Sequence, residues 1–187
     1  MINKNLKLSD KIFRDDIQKV PVRDGFGEGL VFAGDQNENV VVLTADLKDS
    51  TRATKFAEKY PDRFFDCGVA EQAMVTVASG LANAGKIPFV CSFAVFSPGR
   101  NWEQIRTTIA INNFPVKIGG LFGGVSVGQD GVTHQALEDV ALMRVLSNMT
   151  VIAPADSIEA KKAVLSSVKI NGSVYLRIPR VESPVFT

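Results

Sequence analysis

The sequence predicts an α/β domain of three layers, in which a doubly wound, mostly parallel six-stranded sheet lies between two layers of helices. Two observations predict this fold class. Apolar runs of about five residues alternate with segments of about 10–15 residues that have helical periodicity, as expected of successive βαβ units. The apolar runs contain few polar residues, which is typical of parallel strands covered on both faces.

Each predicted element has a local signal. The strands are short β-branched or aromatic runs bounded by turn residues, at residues 40–45, 64–67, 87–93, 116–122, 150–154 and 173–178. The helices precede and separate them, at residues 23–33, 50–60, 70–84, 100–112, 134–146 and 156–168. Pro61 ends the second helix, Gly85 caps the third and Asp156 caps the last. We expect residues 1–14 to form a polar N-terminal arm and residues 15–187 to form the domain.

Composition and charge argue against several classes of function. The chain has 187 residues, of which 45% are hydrophobic and 22% charged, the balance of a soluble globular protein. The net charge is +1 without a run of Lys and Arg, so we expect neither a nucleic-acid surface nor a membrane surface. We also expect no secretory signal, a cytoplasmic location, and buried, reduced Cys67 and Cys91. One histidine and no CxxC pair offer no His- or Cys-based metal site.

Two glycine-rich stretches match nucleotide-binding motifs incompletely. Residues 80–86 resemble a phosphate-binding loop, but Ile87 stands where a magnesium-binding Ser or Thr is needed. Residues 25–29 lack the spacing of a dinucleotide fingerprint and follow no predicted strand. We interpret both stretches as parts of helices.

The first segment with candidate chemistry is residues 66–74. Glu71 begins a helix just after Gly68, at the carboxyl end of a predicted strand, where ligands bind in open α/β sheets. It shares a helix face with Met74 and Val75, so the carboxylate needs a partner if it is buried. The alternative is a Glu that faces solvent and is stabilised by the helix dipole, and the local pattern alone favours that alternative.

Two further segments carry candidate chemistry. Residues 128–135 place Asp130 and His134 in a glycine-rich loop after a buried strand, as an acid/base pair in a cleft. The alternative is an ordinary loop that caps a helix. Phe93 and Phe96 cluster where another strand ends, so their rings could stack on a flat heteroaromatic ligand. The alternative is that both rings belong to the core.

Together and in this order, the three segments resemble the transketolase family. The family pattern is a catalytic Glu after Gly at a helix start, then aromatic residues after the next strand, then a Gly-Glu-Asp-Gly-x-Thr-His-Gln loop. This chain has Gly-Val-Ala-Glu ending at Glu71, then Phe93 and Phe96, then Gly-Gln-Asp-Gly-Val-Thr-His-Gln at residues 128–135. The resemblance runs over residues 23–179.

The resemblance implies the pyrimidine-binding domain of a thiamine diphosphate enzyme that moves two-carbon ketol units between sugar phosphates, in the pentose phosphate pathway. Glu71 would hydrogen-bond a ring nitrogen of the aminopyrimidine and favour the imino form, which removes the thiazolium proton. Phe93 and Phe96 would line the pyrimidine pocket. The other implied contacts are Asp46 and Leu47 near the thiazolium, Asp130 and His134 at the donor hydroxyls, and Arg23, Ser50 and Arg177 at the sugar phosphate.

The chain departs from the family pattern in two respects. Phe122 stands where transketolases usually carry a second histidine, and the third stacking residue is left open between Arg100 and Trp102. No Gly-Asp-Gly motif occurs, which implies that a partner chain or domain binds the diphosphate and its magnesium. We therefore expect the isolated chain to be inactive and, as in the family, to form a homodimer.

Three other functions remain open. Two belong to the same cofactor class, namely part of deoxyxylulose-phosphate synthase and the β subunit of a 2-oxoacid dehydrogenase. The Asp-Gly-Val-Thr-His-Gln loop disfavours the dehydrogenase but does not exclude the synthase. The third is a non-catalytic regulatory or assembly module, against which the joint presence of Glu71, Asp130 and His134 argues.

Overall fold

The computed structural model of the protein describes residues 7–187. Their strands are β1 (Lys19–Pro21), β2 (Val40–Thr44), β3 (Phe64–Asp66), β4 (Ile87–Phe93), β5 (Lys117–Leu121), β6 (Thr150–Ile152), β7 (Val174–Ile178) and β8 (Glu182–Pro184). Their helices are α1 (Val22–Gln36), α2 (Thr54–Lys59), α3 (Glu71–Asn83), α4 (Trp102–Gln104), α5 (Asp139–Arg144) and α6 (Ser157–Val168). A π-helical turn, Ile105–Ala110, continues α4.

The predicted α/β fold with a six-stranded sheet is confirmed. The six strands are parallel and lie in the order β3-β2-β4-β5-β7-β6. Because β3 lies on one side of β2 and β4 on the other, the direction of winding reverses between β2 and β4. Ligands bind at such a switch point, outside the carboxyl ends of the strands.

The sheet has a hydrophobic core on each face. One core packs β2, β4 and β7 against α1 and α6, and the other packs the opposite strand faces against α3, the π-helical turn and α5. The close packing of α1 on α6 requires a glycine, because a Cβ on Gly25 would lie 1.8 Å from the carbonyl oxygen of Ser157. The glycines at residues 25–29 therefore belong to a helix, as predicted.

A buried lysine begins β5. The Lys117 side chain is inaccessible to solvent, and its Nζ donates to the carbonyl oxygens of Ile170 at 2.8 Å and Gly172 at 2.7 Å. Burial lowers the pKa of this amine from 10.5 to about 8. The lysine ties the start of β5 to the loop before β7.

Two predicted helix starts are wrong. The helix expected at residues 50–60 begins at Thr54, because Arg52 adopts a left-handed conformation with φ of 64°. The helix expected from residue 134 begins at Asp139, because residues 128–134 form two 3₁₀ turns and Gln135 is extended.

The strands β1 and β8, which the sequence did not predict, form an antiparallel pair apart from the main sheet. In the predicted N-terminal arm, residues 1–6 lie outside the described residues. Ser9 donates its backbone N–H to the Phe186 carbonyl at 2.9 Å. Among residues 7–187, no helix has the length and apolar character needed to cross a membrane.

Candidate active site

Glu71 is the first residue of α3, at the carboxyl end of the sheet beside the switch point. Its side chain is 3% exposed, and both carboxylate oxygens accept from Arg100 Nη1, at 3.2 and 3.3 Å. Glu71 therefore does not face solvent, and the alternative that the local sequence pattern favoured is wrong. A buried carboxylate with a single cationic partner is a candidate functional group.

A hydrogen bond from the buried Asn101 fixes the backbone at Glu71. Asn101 is fully buried and donates from Nδ2 to the Glu71 carbonyl oxygen at 3.0 Å and to Ser97 Oγ at 3.1 Å. These bonds join the loop after β4 to the start of α3. A cleft of about 510 Å³ lies beside Glu71, and residues 69–73 and Arg100 line it.

The aromatic residues after β4 form a stack at the same end of the sheet. Phe93 stacks on Phe122 with ring centroids 4.1 Å apart and on Phe96 at 5.9 Å. His134 meets Phe96 edge-on at 5.4 Å. Phe93 is buried in the core, as the alternative interpretation expected, whereas Phe96 is part-exposed.

Of the two candidates for a third stacking group, Arg100 contacts the aromatic stack. Its guanidinium carbon lies 4.0 Å from the Phe96 ring centroid while the same side chain pairs with Glu71. Trp102, the other candidate, turns away and donates from Nε1 to the Leu142 carbonyl at 2.7 Å.

The glycine loop, which we define as residues 123–136, separates its two candidate residues. Asp130 pairs with Arg180 at 3.2 Å, and His134 lies beside the aromatic stack with Nδ1 at 2.9 Å from Thr133 Oγ1. Among the hydrogen bonds of residues 7–187, none joins Asp130 to His134. His134 lies at the aromatic stack and Asp130 at Arg180, so the predicted acid/base pair is not formed by direct contact.

A basic group lies next to the glycine loop. Arg23 donates from Nη1 to the Ser50 carbonyl at 3.2 Å, and the guanidinium carbons of Arg23 and Arg180 lie 5.3 and 5.2 Å from the Phe122 ring. Burial, together with repulsion from Arg52 and Arg180, lowers the pKa of the Arg23 guanidinium. An anion bound here would relieve that repulsion.

Arg180 is a site residue that the sequence reasoning missed. The signal for it was an arginine directly after a proline at the end of the last predicted strand. Phe122 adopts a left-handed conformation with φ of 61°, which is rare for a bulky residue and clusters at functional sites.

Arg177 is not brought to Arg23 and Ser50. It points to the sheet face that carries α3 and α5, and its Nε pairs with the buried Asp139 at 3.1 Å. Alternate residues of a strand point to opposite faces, so Arg177 lies with Tyr175 and not with Leu176. Its predicted phosphate contact stays a prediction.

Asp46 and Leu47 follow β2 at the switch point. Asp46 is exposed, has φ of 59°, and donates its backbone N–H to Asp66 Oδ1 at 3.0 Å. Leu47 is half-buried against the aromatic side of the core. The structure thus places both residues at the predicted edge of the sheet.

The two cysteines differ in burial. Cys91 is fully buried, as predicted, and burial raises the pKa of its thiol. Cys67 is only half-buried, contrary to the prediction, and burial with the charge of Asp66 nearby raises its pKa. Across residues 7–187, no three His, Cys, Asp or Glu side chains lie close enough to hold a metal ion.

Comparison with known proteins finds one family throughout. The family model for the pyrimidine binding domain of transketolase matches residues 18–184. A Methanocaldococcus jannaschii protein, provisionally named as a transketolase C-terminal section, is 46% identical over 164 residues, covering 88% of this chain and 52% of its own. A solved structure described as a split gene transketolase, inactive β4 tetramer, is 43% identical with a TM-score of 0.78, and the match covers 88% of this chain and 53% of that one.

A synthase is also similar. The 1-deoxy-D-xylulose-5-phosphate synthase of Natranaerobius thermophilus is 39% identical over 155 residues, which cover 83% of this chain and 24% of the synthase. The chain thus spans about half the length of the two transketolase relatives and about a quarter of the synthase.

Proposed function

Because the chain belongs to the family of transketolase pyrimidine-binding domains, we propose that it is the pyrimidine-binding part of a thiamine diphosphate-dependent transketolase, a transferase of two-carbon ketol units between sugar phosphates. The observation that carries the proposal is the Glu71 carboxylate. Glu71 is buried at the start of α3 and lines a cleft, and its ion-pair partner Arg100 lies over the part-exposed ring of Phe96.

The residues present fit the aminopyrimidine half of the cofactor. A flat, weakly basic ring needs an aromatic face and one carboxylate at a ring nitrogen. Phe96 supplies the aromatic face and Glu71 the carboxylate, and the Arg100 guanidinium contacts both. Thiamine diphosphate, when bound, supplies the carbanion chemistry. Glu71 would share a proton with the ring nitrogen, and Phe93 would lie behind the pocket, in the core.

The substrate end of the site is the basic group beside the glycine loop. Arg23 and Arg180 present two guanidinium groups to an anion, and a phosphate accepts two parallel hydrogen bonds from such a group. Asp130 and His134 supply polar atoms for the sugar hydroxyls. Ser50, Asp46 and Leu47 keep the contacts that the resemblance implies, whereas Arg177 pairs with Asp139 on the other sheet face and its phosphate contact stays a prediction.

The proposed enzyme needs a partner chain or domain. That partner holds the diphosphate and its magnesium, so the complete cofactor site forms between two chains and the isolated chain is inactive. We place the assembly in the cytoplasm and in the pentose phosphate pathway. A homodimer is the proposed minimal unit of this chain, and a β4 assembly like that of the split gene relative would consist of two such dimers.

The similarity to deoxyxylulose-phosphate synthase supports a second candidate function. In that reaction pyruvate would take the place of a ketose phosphate as donor. Phe122 weakens the assignment to transketolase. It replaces a histidine that transketolases usually carry, and it makes the pocket wall apolar at that point.

The test is to purify the chain together with the diphosphate-binding chain encoded in the same genome. The complex is expected to bind thiamine diphosphate and to transfer a ketol unit from xylulose 5-phosphate to an aldose phosphate, with no product from pyruvate. Product formation with pyruvate, and not xylulose 5-phosphate, as the donor would favour the synthase. Cofactor binding without turnover of either donor would favour a regulatory module.

A further inference from the structure

Asp139, at the start of α5, is a buried carboxylate outside the predicted site. Its side chain is 1% exposed, and Oδ2 accepts from Tyr175 Oη at 2.7 Å and from Arg177 Nε at 3.1 Å. Burying a charge is costly unless it is paired and hydrogen-bonded. The two donors from β7 therefore fix where α5 begins relative to the sheet.

Arg177 also lies against the backbone of Gly123 and Gly124, where the glycine loop leaves β5. A Cβ on Gly123 would lie 2.9 Å from Arg177 Nε, and one on Gly124 would lie 2.9 Å from a terminal nitrogen of the guanidinium. Gly124 has φ of 86° as well, which a side chain would strain. A side chain at either position would displace the guanidinium, and at Gly124 it would also strain the backbone.

The two ends of the glycine loop meet at this point. The Gly124 N–H donates to the Ala136 carbonyl at 2.8 Å, and Ala136 forms isolated β-bridges with the start of the loop. Asp130 and His134 lie between these ends. The loop is thus closed at its base, directly above the Asp139–Arg177 ion pair.

We propose that Asp139 and Arg177 are positioning residues that clamp the base of the glycine loop and thereby place His134 beside the aromatic stack. Arg177 contacts the loop where it begins, and Asp139 holds α5 three residues after the loop ends. One buried ion pair therefore ties the exit of the loop to its entrance. The catalytic role of His134 rests on the proposed function, whereas the position of its ring in the isolated chain does not.

This role differs from the sugar-phosphate contact that the resemblance implies for Arg177. A phosphate contact affects phosphorylated substrates alone, but a clamp sets the loop geometry with or without substrate. Asp139 bears on the clamp alone, because its buried carboxylate pairs with Arg177 and the resemblance implies no substrate contact for it.

The first experiment measures the position of His134 in the isolated chain. His134 is the single histidine of the sequence, so its imidazole C–H signals in an NMR spectrum are unambiguous. Its ring lies edge-on to Phe96 at 5.4 Å and to Phe93 at 6.3 Å, so ring currents shift these signals from their unfolded-chain values.

Arg177→Met keeps most of the stem and removes the guanidinium. We expect both His134 signals to move toward their unfolded-chain values and the Gly124 amide to exchange with solvent at least about tenfold faster, since the loop base opens locally. The double variant Asp139→Asn/Arg177→Met removes the pair without leaving an unpaired buried charge, so it tests the same point should the single variant not fold.

Two further variants test the clamp, one as a matched control and one as a second perturbation of the guanidinium. Tyr175→Phe removes the other donor to Asp139 and leaves the ion pair, so the His134 signals are expected to stay in place. Gly123→Ala pushes a methyl group against the guanidinium and is expected to move the signals in the same direction as Arg177→Met. Unchanged His134 signals and Gly124 exchange in the double variant overturn the clamp, whether or not the chain is a transketolase.

The second experiment uses the enzyme assembled with its diphosphate-binding partner. The double variant is expected to lower kcat at least about tenfold with phosphorylated and non-phosphorylated donors alike, because misplaced site groups cost rate with any substrate. A rise in KM confined to phosphorylated donors would support direct contact by Arg177 and overturn the clamp. No ketol transfer by the wild-type assembly would count against the proposed function, while the NMR result would still decide the clamp.

Discussion

Replacing Glu71 by alanine is expected to abolish cofactor activation and to leave the fold nearly unchanged. The ion-pair partner Arg100 is 49% exposed, so water solvates its guanidinium once the carboxylate is gone. An ion pair with an exposed member contributes about 0–1 kcal/mol, and the desolvation cost of the buried carboxylate opposes that gain. The free energy of unfolding should therefore change by about 1 kcal/mol or less, which shifts the melting temperature by roughly 2–4 °C in a domain of this size.

The assay for cofactor activation is exchange of the thiamine C2 proton, followed by NMR in the enzyme assembled with its partner. Without the carboxylate to share a proton with the pyrimidine ring, exchange should slow by about 10²–10⁴-fold, the usual contribution of a positioned acid or base. Glu103→Ala is the matched control. Glu103 is also in the first turn of a helix but is exposed, so its removal should leave exchange normal.

Normal exchange in the Glu71→Ala enzyme would refute the assignment of Glu71 as the activating carboxylate. A loss of more than about 3 kcal/mol of stability would refute the energetic reasoning, since that is the cost of breaking a tightly coupled buried ion pair. The two measurements are independent, because the melting curve needs the chain alone.

Four other predictions follow from the site and the fold. His134→Ala should lower kcat by about 10²–10⁴-fold in the assembled enzyme with unchanged cofactor affinity by titration calorimetry; a loss below about threefold would make the residue structural. Arg23→Met and Arg180→Met should each raise KM for a phosphorylated donor about 10–100-fold, the size of a charge-assisted hydrogen bond, and equal effects on a non-phosphorylated donor would contradict a phosphate site. Between about pH 8 and 10.5 the unfolded chain binds more protons at Lys117 than the folded chain does. The stability of wild type relative to Lys117→Met, measured by urea unfolding, should therefore be flat below pH 8 and rise above it by up to about 3 kcal/mol. A stability difference independent of pH would refute the lowered pKa. Light scattering at tens of micromolar (roughly the range in which moderate interfaces persist) should show at least a dimer, and a monomer there would count against the homodimer.

The sheet was predictable because its signals are local. Each strand is an apolar run whose ends carry turn residues, and a parallel strand buried on both faces needs nothing else to stand out from its surroundings. The β1–β8 pair has no such signal. It joins residues 19–21 to residues 182–184, and its pairing depends on where the rest of the fold brings the two ends of the chain.

The glycine loop shows where local reasoning failed. Residues 134–146 have helical periodicity, but Ala136 uses its carbonyl to accept from Gly124 and cannot also begin a helix there. Gln135 is extended with ψ of 121°, and α5 starts at Asp139. A tertiary contact therefore overrides the helix propensity of this segment.

The candidate site was predicted in part. Glu71 was identified through the resemblance, although the local pattern favoured a solvent-facing side chain, and only the position of Arg100 shows how the burial is satisfied. The alternation of side chains along a strand could have predicted that Arg177 lies away from Arg180, since Arg177 shares a sheet face with Tyr175. What no pattern contained was the contact of Arg180 with Asp130, which joins residues 50 positions apart.

The site combines a fixed carboxylate with a movable cation. Glu71 is held by α3 and by the buried Asn101, whereas Arg100 is half-exposed and covers one face of the Phe96 ring. Displacing Arg100 into water costs about 0–1 kcal/mol, which lowers the affinity for such a ring by at most about fivefold. The guanidinium therefore compensates the buried charge of Glu71, and moving it aside would cost a heteroaromatic ligand little affinity.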